Sequence, residues 1–419
     1  MNEHATNIPN DVPKTPGYAW VILFATYMAT LALTLNWFKV PPVMTSLINE
    51  FNLSYAQANG TMSIFSIMGI ILAIPAGYIL KSFGIKKTGL FSVGAVTIGS
   101  VLGAIASTTT LLFVGRFIEG VGMGLIMVMA PFAISLWFPA QKRALATGLW
   151  ASCVGIGNIV PLIFAPSIMV AYGWQAVWWT GAAYSALAFI LFAILFRMPR
   201  PEEMEAAPAP ATEEEEPPSL AKGMANKDLW MISISFGIYN LVLLAMLSIL
   251  PTFLETQRAF LLTFDKGILL NASFVTAAIM LASIITAPLG GYISDRLGKR
   301  KIMILIPYIL MTVMFLFIFK VTGWMIPLYL FVFGIVGGPI ATVLLAAVPE
   351  VARKIQFIGI GMAVAILGQQ IGSLVGPWLF GKILDLSATV DIAAYVTGGY
   401  WMIPICVIGI ITTLCIKVR

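Results

Sequence analysis

An arginine and a glutamate stand three residues apart, Arg116 and Glu119, inside the apolar run "LLFVGRFIEGVGMGLIMVMAPFAISLW". On a helix, that spacing puts both on one face. Charges in so long an apolar run are costly, so they mark either a functional pair or a permanent internal ion pair. Lys39 lies three residues before Pro42, late in another apolar run. It either faces a cavity and attracts anions or snorkels to the water interface. Neutral polar residues are scattered through the same kind of run. They are Tyr27, Thr30 and Asn158 in the first half, and Tyr239, Asn240, Asn271, Gln369 and Gln370 in the second. Singly, each is expected to bond across helices; as a converging set, they are expected to line a polar cavity.

Other chemistries lack their residues. His4 is the only histidine, and Cys153, Cys406 and Cys415 all lie in apolar runs. Neither a zinc or haem ligand set nor a disulfide framework is implied. The runs "GVGMG" (Gly120–Gly124) and "GQQIGSLVGP" (Gly368–Pro377) lack the strand–loop–helix setting of a phosphate loop and read as close-packed, bendable helices. The methionines read as flexible filling. No motif for acyl transfer, phosphoryl transfer or nucleotide binding is present, so the sequence predicts no enzyme, no cofactor and no metal.

The elements that must hold these residues are legible from composition. Apolar residues make up 59% of the chain and charged residues 10%, with a mean hydropathy of +0.95. Soluble domains carry roughly 25% charge. Apolar runs fall near 18–40, 57–80, 88–106, 110–136, 144–170 and 175–196, then near 229–254, 267–293, 302–320, 324–348, 356–383 and 396–416. Backbone in lipid must bond within its own segment, and these runs show no alternation of period two. The sequence therefore predicts an all-α membrane protein of twelve transmembrane helices. The first run is too long for a signal-peptide core, and no cleavable leader is expected.

Most of the 24 basic residues fall in every second gap between runs. The positive-inside rule then places both termini in the cytoplasm, and a bacterial inner membrane is expected. The net charge of +6 needs no nucleic-acid partner. The expected organisation is a cytoplasmic tail (1–17), a first six-helix bundle (18–196), a cytoplasmic linker (197–228), a second bundle (229–416) and a cytoplasmic end (417–419). Pro, Ala and Glu dominate the linker, which cannot bury a core; its acidic run Glu213–Glu216 reads as solvated.

Landmarks recur across that linker at nearly constant offset: Pro42 and Pro251, Pro75 and Pro288, Gly155 and Gly368. The phrase "GYILKSFGIKK" from Gly77 returns as "GYISDRLGKRK" from Gly291, with Lys81 where the second copy has Asp295. Two pseudo-symmetric six-helix halves joined by a polar linker suggest a transporter built from parallel repeats.

With these motifs the sequence resembles the major facilitator superfamily. The phrase matches the family's loop signature through Gly291, Asp295, Arg296, Gly298 and Arg300, with Gly77, Lys81 and Gly84 in the first copy. "GRFIEGVG" matches its fourth-helix signature through Arg116 and Gly120. "LWFPAQKRALATGLW" (Leu136–Trp150) and "YGWQAVWW" (Tyr172–Trp179) look like the family's turns around the fifth helix. The resemblance implies a secondary carrier working by alternating access, with Arg116 in proton coupling or substrate contact. It implies that the loops gate the cytoplasmic face. Asp295 would latch onto the start of the fifth helix near Arg143–Gly148, and Lys81 would make the first copy unable to do the same. The alternative is that both loops are only basic anchors. The fifth-helix turns lean toward the branch that moves small anions such as monocarboxylates, oxalate/formate, cyanate and nitrate, by proton symport or anion exchange. The expected partners are a small anionic substrate and membrane lipid, in a monomer. Two other readings stay open. One is a drug or neutral-solute exporter, which Trp37, Trp178 and Trp179 would suit; the other is a transporter-like sensor that binds without flux.

Overall fold

The computed structural model describes residues 15–72, 75–200, 225–257, 271–352 and 355–417. Most of the expected linker, with Glu213–Glu216, lies outside the described residues, as does His4. Each of the twelve apolar runs carries a helix. The first half holds α1 (Gly17–Phe38), α3 (Tyr55–Leu72) followed by α4 (Pro75–Phe83), α5 (Ile85–Ala104), α6 (Thr109–Trp137), α7 (Ala140–Tyr172) and α8 (Trp174–Leu195). Between α1 and α3 come a 3₁₀ turn at Pro41–Val43 and the short α2 (Met44–Phe51). The second half holds α9 (Lys227–Gln257), α10 (Ala272–Leu297), α11 (Arg300–Met314), α12 (Met325–Ala352), α13 (Ile355–Asp385) and α14 (Ile392–Cys415).

Ten of these helices are individually long and apolar enough to cross a membrane, and α3 with α4 makes an eleventh when the bent pair counts as one span. The ninth run supplies only 15 helical residues, in α11. That is about 22 Å of helix, short of a hydrocarbon core of roughly 30 Å. Past α11 the chain continues in tight turns, with Leu316 N donating to Val313 O at 3.1 Å and Phe317 N to Met314 O at 3.0 Å. Such i→i+3 bonds keep the backbone satisfied where the α pattern stops.

The two halves repeat one neighbour pattern. In the first, α1 packs on α7 and α8, α3 on α6, and α5 on α6 and α8. In the second, α9 packs on α13 and α14, α10 on α12, and α11 on α12 and α14. Cross-half contacts follow the same symmetry, α3 on α13 and α10 on α7.

Small residues set the spacing. Gly368, Gly372 and Gly376 come one turn apart on α13, and each abuts the backbone of α9 at Ser233, Gly237 and Leu241. A side chain at any of them would meet a carbonyl oxygen, so this glycine run is a helix-packing stripe. On α6, Gly115 and Gly122 play the same part against α5 at Gly99 and Ser92.

The halves meet most closely at the end remote from the linker, hereafter the far end. There Thr45 donates to Glu255 at 2.8 Å, Tyr55 N and Ala56 N donate to Asp385, and Ser248 bonds Asn59. These hydrogen bonds join the two halves. At the linker end the repeated phrases are exposed, with Tyr78 and Tyr292 both open to the outside.

Candidate functional site

The chemistry-bearing residues meet inside the first half. Pro41 and Pro42 stop α1, because proline supplies no N–H and constrains the residue before it. Lys39 is left as the C-cap of α1, where a cation suits the negative end of the helix dipole. Its ammonium turns inward rather than snorkelling: Lys39 is 2% exposed, and Arg116 and Glu119 are 0% exposed. Lys39 Nζ reaches Glu119 Oε1 at 2.7 Å, Asn36 Oδ1 at 2.7 Å and Ser100 Oγ at 2.8 Å. All three ammonium protons thereby have acceptors.

Arg116 caps the same helix end. Its Nη1 donates to Asn36 O at 2.7 Å and its Nη2 to Trp37 O at 3.3 Å. These are last-turn carbonyls of α1, which have no partner within their own helix. Its Nε donates to Thr61 O of α3 at 3.0 Å, and its Nη1 also reaches Glu119 Oε2 at 2.5 Å. The guanidinium thus ties α1, α3 and α6 together. Both carboxylate oxygens of Glu119 are taken, one by each cation.

Aromatic rings close the cluster. Lys39 Nζ sits 4.7 Å from the Trp178 ring centroid, and Arg116 Cζ sits 4.8 Å from that of Phe65, both within cation–π range. Trp37 stacks on Phe65. The three charges sum to one net positive charge, and every partner described for them belongs to the first half. Trp37 and Trp178 are therefore parts of this cluster and do not offer a drug-binding face; Trp179 is exposed.

Asn36 and Ser100 were not among the residues singled out by sequence. Asn36 joins Lys39, Ser185 and, through its backbone, Arg116. Its place one helical turn before Lys39 was the available signal.

Several of the neutral candidates serve helix packing or helix ends. Thr30 accepts from Trp150 Nε1 at 2.9 Å and donates to Thr26 O, a helix-packing role. Tyr27 lies 3.3 Å from Ser152 Oγ in a groove between α1 and α7 lined also by Trp20, Phe24 and Leu149. Asn158 is buried and its Oδ1 has no hydrogen-bond partner. Asn240 bonds its own helix at Phe236 O, and Tyr239 is buried. Gln370 crosses between the halves and lies against Gly69, while Gln369 is half-buried beside it. Asn271 corrects the expectation of a cavity residue: it is the N-cap of α10, with its side chain accepting from Phe274 N at 2.7 Å. The helix begins directly after it, so its amide serves the helix end.

The repeated loop phrase has a backbone reason. Gly84 and Gly298 both take positive φ, +78° and +62°, a region open mainly to glycine. They separate α4 from α5 and α10 from α11. Among the described residues, Asp295 makes no hydrogen bond or ion pair with the start of α7. It pairs with Arg300 at 2.9 Å, and Arg300 in turn pairs with Glu350 at 2.6 Å. Arg296 lies over the Tyr292 ring, and Arg143 donates to Ser135 O at 3.0 Å. Gly291 abuts Thr342, whereas no described atom outside its own helix backbone would lie within 4 Å of a Cβ added at Gly77. Lys81 is exposed.

The comparisons with known proteins agree with this architecture. The chain is 24% identical over 302 residues to the chloroplastic ascorbate transporter of Arabidopsis thaliana, covering 68% of this chain and 53% of that protein. It thus spans about half the length of that relative. It is 25% identical over 299 residues to a Mycobacterium tuberculosis protein named as a probable nitrate/nitrite transporter, covering 69% of each. It is 25% identical over 261 residues to a probable sulfoacetate transporter of Cupriavidus necator, covering 60% of this chain and 59% of that one. Among solved structures, a bacterial homolog of the human lysosomal transporter Spinster, in an inward-facing and unoccupied conformation, superposes with a TM-score of 0.78 at 15% identity, covering 96% of both chains. That likeness concerns the fold. The family model of the Major Facilitator Superfamily matches residues 26–377 and 262–418, and the chain, with its paired six-helix halves, belongs to that superfamily of transporters.

Proposed function

We propose that the protein is a secondary transporter for a small anion, working by alternating access across a cytoplasmic membrane with both termini inside. The observation that carries this reading is the buried cluster of Lys39, Arg116 and Glu119, in which two cations share one carboxylate. A buried charge without a counter-charge is expensive in lipid. Its field would favour an anion on a transport path beside the first half. The positive charge acts through that field in this conformation, because protein oxygens already accept from Arg116 and Lys39. A proton arriving at Glu119 would have to displace one of its two cations, which offers a route for coupling. The relatives named as nitrate/nitrite and sulfoacetate transporters support the anionic class.

The far-end contacts support an inward-facing conformation, with the basic linker end as the cytoplasmic face. Asp295 is then free of α7, and the latch expected of it belongs to the outward-facing conformation. A thermal-shift screen of the purified protein against nitrate, nitrite, sulfoacetate, ascorbate and uncharged sugars tests the substrate class, since a selective ligand stabilises the folded state. Stabilisation by one anion, and not by the sugars, is expected. Stabilisation by sugars alone would overturn the reading. Proteoliposome uptake of the stabilising anion then separates a carrier from a sensor.

A further inference from the structure

We infer that Asp385 is the far-side gating residue of the transport cycle, a latch that grips the opening turn of α3 from the opposite half. α3 starts with a reciprocal cap: Gln57 N donates to Ser54 Oγ at 3.2 Å and Ser54 N to Gln57 Oε1 at 3.0 Å. That capping box leaves the N–H groups of the first two helical residues unsatisfied. Asp385 takes both of them, Tyr55 N at 2.8 Å through Oδ1 and Ala56 N at 2.9 Å through Oδ2. A carboxylate is doubly suited to that place, as acceptor and as partner to the positive end of the helix dipole.

Its own helix does not want it there. Asp385 is the last residue of α13, where the dipole disfavours an anion. The local penalty is relieved only while α3 is docked. Gly381, one turn earlier on α13, lets Tyr55 and Ala56 come against the helix backbone. Next along, Ser248 of α9 bonds Asn59 of α3. The contact is thus a matched seam whose opening leaves two helix N–H groups and one misplaced carboxylate. Among the described residues, the other cross-half helix pair at this end shows no such latch: α10 is capped by its own Asn271, and α7 ends in Tyr172, with Gly173 as its cap. The α3–α13 seam is thus a main element of far-side closure, beside the Thr45–Glu255 bond.

The test is a distance measurement between spin labels at Glu50 and Ala388, two exposed far-end positions in opposite halves, with Cys153, Cys406 and Cys415 replaced. Asp385→Asn keeps the shape but removes the charge. Ala56→Pro keeps the carboxylate but deletes one donor within the first helical turn, where that N–H has no partner in its own helix. Both variants are expected to lengthen the label distance, raising the far-open to far-closed ratio by about tenfold or more for Asp385→Asn and less for Ala56→Pro. In the double variant the two effects are not additive. Unchanged distances in Asp385→Asn would overturn the latch. Opening in Asp385→Asn with none in Ala56→Pro would overturn the helix-terminus explanation. The inference rests on alternating access but not on the substrate. The distances are read without flux, so a failed uptake assay and a failed latch are told apart.

Discussion

Replacing Glu119 by Gln should be the most destabilising single polar substitution in the first half. Lys39 Nζ stands 2.7 Å from Oε1 and Arg116 Nη1 stands 2.5 Å from Oε2. At an effective dielectric near 20, each attraction is roughly 6 kcal/mol before desolvation is subtracted. Breaking a buried pair by deleting one partner costs about 3–5 kcal/mol in measured cases. Glu119→Gln deletes the partner of two cations at once, so about 5 kcal/mol is expected. For a bundle of this size, that corresponds to a melting point lower by on the order of 10 °C. Lys39→Met should cost less, about 1–3 kcal/mol. It removes the excess cation and leaves Arg116 and Glu119 as a neutral pair. The double variant, Lys39→Met with Glu119→Gln, should melt above Glu119→Gln alone, because one of the two unpaired cations is gone. Tryptophan-fluorescence melts of the four proteins in detergent give the comparison. Additive losses in the double variant, or a Glu119→Gln protein that melts with the wild type, would refute the shared-carboxylate account.

Three further outcomes follow from the same geometry. Arg116→Lys should lower stability by about 2–3 kcal/mol, because an ammonium cannot reproduce the planar fork that spans Asn36 O, Trp37 O and Thr61 O; equal melting points would show that the α1 cap is dispensable. Asn271→Ala should cost about 1 kcal/mol with uptake kept, the signature of a helix cap, whereas lost uptake at unchanged stability would return Asn271 to the substrate path. Gly99→Ala should destabilise by about 1–3 kcal/mol, since its methyl would meet Gly115 O and the Glu119 stem; a neutral effect in the melt would mean that α5 and α6 are less tightly held than the contacts indicate.

How much was legible in the sequence differs from residue to residue. Run length and the repeat fixed the helices and their pairing into halves, because lipid leaves backbone few options. Arg116 and Glu119 could be put on one face from spacing alone. The destination of Lys39 could not, because it stands just past the end of α1 and its direction is set by how α5 and α6 pack there, segments far apart in sequence. The capping of α1 by Arg116 depends on how α6 crosses α1, a contact between segments far apart in sequence. Asn271 was readable as a cap, standing directly before an alanine-rich apolar stretch, but an apolar run drawn from 267 placed it inside the helix. Asp385 carried a quieter sign: an acid at the end of its own helix contradicts the local preference, and such contradictions mark residues whose partner lies elsewhere in the fold.

On the reading proposed above, the net positive charge buried at Lys39, Arg116 and Glu119 selects anions for transport. The most direct test is uptake of nitrate, nitrite and sulfoacetate into proteoliposomes holding either wild type or Lys39→Met. A unit charge about one helix diameter from the path, ~10 Å in a medium of effective dielectric about 20, is worth ~1.7 kcal/mol, or more than tenfold in anion occupancy. The account predicts wild-type flux of at least one of these anions and a loss of about tenfold in low-concentration uptake by a folded Lys39→Met protein. Equal anion uptake by both proteins would contradict it.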